Sequence, residues 1–158
     1  MYPLRGTMGV RPVALFFNMI RIQYVPGLRN ASGQPVLGLS CGTDPEGPWI
    51  KLRSDLGLPE FWEYISGNTD SEVSRQKRIV FRVLGLDRGT MEPVITSPGR
   101  ALEFLLEHEL SHIRNGDSWN PRMRMSETLD PYRIAIEARA TWDAWIQLKK
   151  KYGSIQSN

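Results

Sequence analysis

Both histidines of this chain fall within His108-Glu109-Leu110-Ser111-His112. Residues four apart share one face of an α-helix, so two imidazoles at this spacing can grip a single zinc ion through nitrogens at about 2.0 to 2.1 Å. Glu109 projects beside that position rather than onto it, where its carboxylate can take a proton from an attacking water. The segment offers two metal ligands and a general base. The competing reading is a pair of ordinary helix histidines with a solvated Glu109.

A catalytic zinc usually takes three protein ligands and keeps one position open. With no third histidine, an HExxHxxGxxH arrangement is excluded; Asn115 and Ser118 stand where its glycine and last histidine would be. A carboxylate is therefore expected as the third ligand, and Glu137 is the best candidate. Asp117, Glu127 and Asp130 are its rivals, and a Glu137 that is exposed or paired with arginine is the alternative.

Two helices must position these groups. Ser97-Pro98 reads as an N-cap followed by proline at the first helical position, and Gly116 stands just past the far end. Ala101, Leu102, Leu105, Leu106, Leu110 and Ile113 give this helix a broad apolar surface, as burial requires. Asp130-Pro131 opens a second helix, expected from about Pro131 to Tyr152 and stopped by Gly153. Its core stripe reads as Ile134, Ala138, Trp142 and Trp145, with Glu137, Thr141 and Ala144 on an adjoining face of small or polar residues. A glutamate beside so much apolar surface is costly to bury unpaired, and a metal would remove that cost.

His108-Glu109-Leu110-Ser111-His112 followed by Glu137-Ala138-Arg139-Ala140 resembles the zincin superfamily, specifically the glutamate-ligated zinc metallopeptidases, or gluzincins. The resemblance covers the two helices and their connection. It implies a zincin-like α+β fold, in which a small twisted β-sheet precedes the HExxH active-site helix and a second, C-terminal helix carries the ligand Glu137. It also implies zinc at one ion per chain on His108, His112 and Glu137, with Glu109 catalytic. Many members place an Asp four residues after the ligand glutamate, bonded to a zinc histidine; this chain has Thr141 there, whose hydroxyl can accept an imidazole N–H. The implied activity is metalloendopeptidase hydrolysis of peptide or protein substrates. Bacterial or phage peptidases and toxin domains of secreted effectors are settings in which small zincin domains serve.

With no third histidine, a donor to the tetrahedral oxyanion would be a tyrosine or arginine. Tyr132, Arg133 and Arg139 lie near Glu137 in sequence, and Tyr64 is a candidate through tertiary folding.

Ahead of the metal helix the chain reads as short strands between turns. Ile20, Ile22 and Tyr24 alternate with Arg21 and Gln23 before Pro26-Gly27. Val36 to Cys41 reads as a buried strand, Trp49 to Leu52 as another, and Met91 to Ile95 as a last one. The zincin resemblance implies an edge strand lining the cleft, and Trp49 to Leu52 is the choice for it, with an internal strand as the alternative. Pro59 to Ile65 suggests a short aromatic helix. Ser71 to Leu84 suggests a longer one, capped by Gly85, with Val73, Val80, Phe81 and Leu84 inward and Arg75, Lys77, Arg78 and Arg82 outward. Asn115 to Asp130, with Trp119, Arg122, Met123, Arg124 and Met125, reads as an active-site wall or a solvent loop.

At 158 residues, 41% apolar and 23% charged, the chain fits one compact domain spanning residues 1–158. A single cysteine, Cys41, rules out an intramolecular disulfide. Val13 to Ile20 is apolar but is broken by Asn18, ends at Arg21 and lacks a small-residue cleavage pattern, so neither a signal peptide nor a membrane partner is expected. The expected protein is soluble, either cytoplasmic or exported without a classical signal peptide. Net charge is +3 and the pI is about 9.2. The basic clusters Arg75, Lys77, Arg78, Arg82 and Lys149 to Lys151 carry no recognised nucleic-acid motif. A nonenzymatic basic module that binds nucleic acid or protein is the different-class alternative, and an inactive, metal-stabilised zincin-like fold is a second.

Overall fold

The computed structural model describes residues 19–66, 72–117 and 131–153, with side chains from residue 75 in the second segment. The described chain is mixed α+β. Strands β1 (Arg21–Val25), β2 (Gly38–Cys41) and β3 (Trp49–Arg53) precede helices α1 (Leu58–Ser66), α2 (Glu72–Val83), α3 (Arg88–Met91), α4 (Pro98–Arg114) and α5 (Pro131–Tyr152).

The sheet order is β1-β3-β2, with β1 parallel and β2 antiparallel to β3. Strand β3 therefore lies in the middle, because its Trp-Ile-Lys-Leu-Arg alternation buries Ile50 and Leu52 fully on one face. This corrects the choice of Trp49 to Leu52 as the cleft edge. Strand β2 is an edge of the three-stranded sheet and packs against α4. Alternation finds β1 but not its burial: Ile22 and Tyr24 are 41% and 56% exposed.

The expected strand at Met91 to Ile95 is instead the end of α3 and a turn, in which the Val94 and Ile95 amides bond to the Met91 carbonyl. All three side chains are buried, so their apolar run records core packing rather than a strand. Helix α2 ends as expected near Gly85, where the chain turns back and the Leu86 amide bonds to the Phe81 carbonyl at 2.7 Å. That turn buries Phe81 and Leu86, whereas Leu84, expected inward, is 42% exposed.

Helix α4 starts as the Ser97-Pro98 signature requires, with Ser97 Oγ accepting from the Arg100 amide at 3.2 Å. It packs one side on β2 and β3 and the other on α5. Helix α5 spans the expected range, but its buried face is turned. Ile136, Ala138, Ala140, Thr141, Ala144, Trp145 and Leu148 are buried, while Trp142, assigned to the core stripe, is 41% exposed. Glu137 and Thr141 thus lie in the middle of the face that meets α4, and the alanines around them let the two backbones approach. A single core cluster runs from Ile50 and Leu52 through Phe61, Phe104 and Leu105 to Trp145 and Leu148. No helix among the described residues is long and apolar enough to cross a membrane.

Candidate metal centre

The α4–α5 interface brings together the three residues that the sequence nominated as ligands. His108 Nε2 and His112 Nε2 are 3.1 Å apart. His108 Nε2 lies 3.2 Å from Glu137 Oε1, and His112 Nε2 lies 3.3 Å from Glu137 Oε2. Four zinc ligands at about 2.05 Å in a tetrahedron stand about 3.3 Å from one another, so the two nitrogens and the two carboxylate oxygens approach at a spacing compatible with a metal ion between them. Both histidines are buried, and no other trio of His, Cys, Asp or Glu among the described residues meets this geometry.

The opposite ring nitrogens explain why the lone pairs converge. His112 Nδ1 faces Asp117 Oδ2 at 2.7 Å. A carboxylate only accepts, so Nδ1 carries the proton and Nε2 is left for the ligand triangle. His108 Nδ1 lies 3.2 Å from Thr141 Oγ1, so a hydroxyl faces it where the Asp117 carboxylate faces His112. Two imidazole nitrogens and two carboxylate oxygens then meet in a buried space, and only a proton or a metal cation between them relieves the repulsion. Two imidazoles and a carboxylate are a donor set suited to a divalent transition-metal ion.

Asp117, a rival for the third ligand, meets His112 at Nδ1 and lies outside the His108–His112–Glu137 group. Gly116 takes a left-handed conformation at φ 69°, which L side chains resist, and the Gly116 amide bonds to the Ile113 carbonyl at 3.1 Å. The turn folds Asp117 back along the last turn of α4 to reach His112. From α5, Arg139 Nη2 donates to the same Oδ2. Burial raises the Asp117 carboxyl pKa, and the His112 and Arg139 hydrogen bonds outweigh it to bring the value below the usual range. Asp117→Asn should keep one zinc per chain but weaken its affinity about 10- to 100-fold, as competition with a chromogenic chelator would report.

Burial likewise opposes the charged form of His112, but the Asp117 and Glu137 carboxylates prevail and raise its pKa to about 10. Burial also opposes the charged form of Glu137, and the two histidines hold its pKa well below the usual range. In the metal-free chain the His112 proton supplies the missing cation. Zinc must displace that proton, so zinc affinity should rise roughly tenfold per pH unit across neutrality and level off near pH 10. Chelator competition at a series of pH values measures the slope; a flat profile would show that no proton leaves.

Glu109 lies on the sheet side of α4, 8% exposed, against β2. A Cβ placed on Gly38 would meet Glu109 Oε2 at 3.1 Å and Leu52 at 3.3 Å. Strand β2 can thus lie close beside the carboxylate because residue 38 has no side chain. The sequence reading missed Gly38; its only signal was a glycine within an apolar strand.

Of the four candidate oxyanion donors, Tyr64 is the one at the ligand cluster, its hydroxyl 3.5 Å from His108 Nε2. Arg139 is engaged by Asp117, and Tyr132 is 43% exposed. Arg133 precedes Glu137 by one helical turn. Lys77, expected on the outer face of α2, instead points inward with Nζ 4.4 Å from the Tyr64 ring centre, which removes it from the basic surface cluster. Glu127 and Asp130, the other rival ligands, lie outside the described residues, as do Trp119, Arg122, Met123, Arg124 and Met125 of the connection. No protein-family model, curated protein or solved structure matches this chain.

Proposed function

We propose that this chain is a small zinc metalloendopeptidase with a zincin-like site, in which His108, His112 and Glu137 hold one zinc per chain. The observation that carries the reading is the convergence of His108 Nε2, His112 Nε2 and the two Glu137 carboxylate oxygens, with nearest approaches of 3.1 to 3.3 Å. When bound, zinc would supply Lewis acidity towards a peptide carbonyl and make water a stronger acid.

The remaining chemistry falls to the chain's own groups. Glu109 accepts the proton of the attacking water and delivers a proton to the leaving amine. The Tyr64 hydroxyl donates to the carbonyl oxygen as it gains charge. Burial, reinforced by the Glu137 and Glu109 charges, raises the Tyr64 pKa well above its ordinary value, so it remains a donor throughout the working pH range. Strand β2, at the sheet edge beside Glu109, offers main-chain hydrogen bonds to an extended peptide.

Elemental analysis of the purified chain, followed by mass-spectrometric profiling of a peptide library, tests this reading. Zinc at one per chain and cleavage products are expected. No zinc after repletion would sink it, and zinc without hydrolysis would favour the inactive, metal-stabilised fold. Tyr64→Phe should retain zinc and lower kcat on the order of 10²-fold, the scale set by removal of one oxyanion donor. An unchanged kcat would take Tyr64 out of the reaction.

A further inference from the structure

Two cations near the ligand cluster, on helices α2 and α5 that pack on one another, have no carboxylate of their own among the described residues. Lys77 Nζ lies 4.4 Å from the centre of the Tyr64 ring and 5.2 Å from that of Phe81. Arg133 shares a face of α5 with Glu137, one turn away, and its Nη1 is sealed from solvent with no hydrogen-bond partner. Burial disfavours the charged form of Lys77, the Glu137 carboxylate attracts its ammonium and the Arg133 guanidinium repels it. Yet both Glu137 oxygens are committed to the histidines.

Aromatic faces offset only part of the hydration that an ammonium loses, and a buried guanidinium N–H without an acceptor is costly. Zinc does not supply the missing charge. Glu109 and Glu137 balance the metal alone and leave Lys77 and Arg133 uncompensated. Lys77 and Arg133 are each partly exposed as residues, so the pair lies near the surface even though Arg133 Nη1 is itself covered.

We infer that Lys77 and Arg133 form a carboxylate-binding subsite beside the metal cluster, selecting peptides that carry a carboxylate next to the bond to be cut. The carboxylate belongs either to an Asp or Glu side chain or to a free C-terminus. Lysine supplies a compact point charge, and arginine a planar fork suited to two carboxylate oxygens. The substrate class rests on the metallopeptidase reading above; the carboxylate site itself can be tested without turnover.

Three probes separate the sources: N-acetylglutamic acid α-amide bears only the side-chain carboxylate, N-acetylglutamine only the terminal one, and N-acetylglutamine α-amide neither. Each is titrated into the zinc-repleted full chain and followed by amide chemical shifts, with zinc content measured on the same samples. One carboxylate probe should bind at least about tenfold more tightly than the neutral amide, and its identity names the source. Lys77→Met, which keeps an unbranched stem beside the two rings, and Arg133→Gln should each cancel that margin while zinc content stays at the wild-type value and the melting temperature does not fall. Equal affinities for all three probes would overturn the subsite. A margin surviving in both variants would also overturn it, since the metal would then be taking the carboxylate. A chain that binds no zinc but keeps a Lys77-dependent margin retains the subsite and defeats the peptidase reading; a zinc-loaded chain without the margin does the reverse.

Discussion

Glu137→Ala should strip the chain of tightly held zinc and abolish hydrolysis. Both Glu137 oxygens face the histidine nitrogens, at 3.2 and 3.3 Å, and no other carboxylate among the described residues completes the triangle. The variant should also lose the stability that metal binding confers, about 2.7 kcal/mol when free zinc stands at 100 times the dissociation constant. Without zinc, it also loses the buried carboxylate that helps hold the His112 proton. Thermal melting with and without zinc, together with chelator competition, measures both losses. Asp117→Ala, Glu127→Ala and Asp130→Ala are the matched controls, each expected to keep one zinc per chain. Wild-type zinc affinity in Glu137→Ala would move the third ligand into the connection between α4 and α5.

The candidate site was legible in sequence where local rules act alone. A histidine pair at i and i+4 needs only a helix, and Ser97-Pro98 and Gly116 mark that helix at both ends without tertiary help. Helix α5 shows where such rules stop. Its apolar residues permit more than one stripe, and choosing Ile134, Ala138, Trp142 and Trp145 left Glu137 beside the core. The structure puts Glu137 in the middle, because α4 presents His108 and His112 there and small residues must surround the approach.

Contacts between distant segments were harder still. Tyr64 and His108 are 44 positions apart, and their meeting depends on how α1 packs on α4. Strand order was equally hidden, since alternation marks β3 as a strand with one buried face but says nothing of its neighbours. Lys77 misled for a physical reason. Charged residues on an amphipathic helix ordinarily face water, and two aromatic rings provide the exception here.

Glu109→Gln should keep zinc and the fold while losing proteolysis. The amide preserves the shape of the side chain against Gly38 and Leu52, so β2 and α4 need not move. It cannot accept the proton of the attacking water, which is the one property the proposed reaction requires of residue 109. General acid–base catalysis contributes about 10²- to 10⁴-fold, and the loss should reach the upper part of that range because the same group also returns a proton to the amine. Zinc affinity separates this effect from that of Glu137→Ala: residue 109 lies outside the ligand triangle, so chelator competition should give the wild-type curve. Single-turnover cleavage by the two proteins at equal zinc occupancy decides the matter. Equal rates would remove Glu109 from proton transfer and leave α4 as a metal-binding helix without its base.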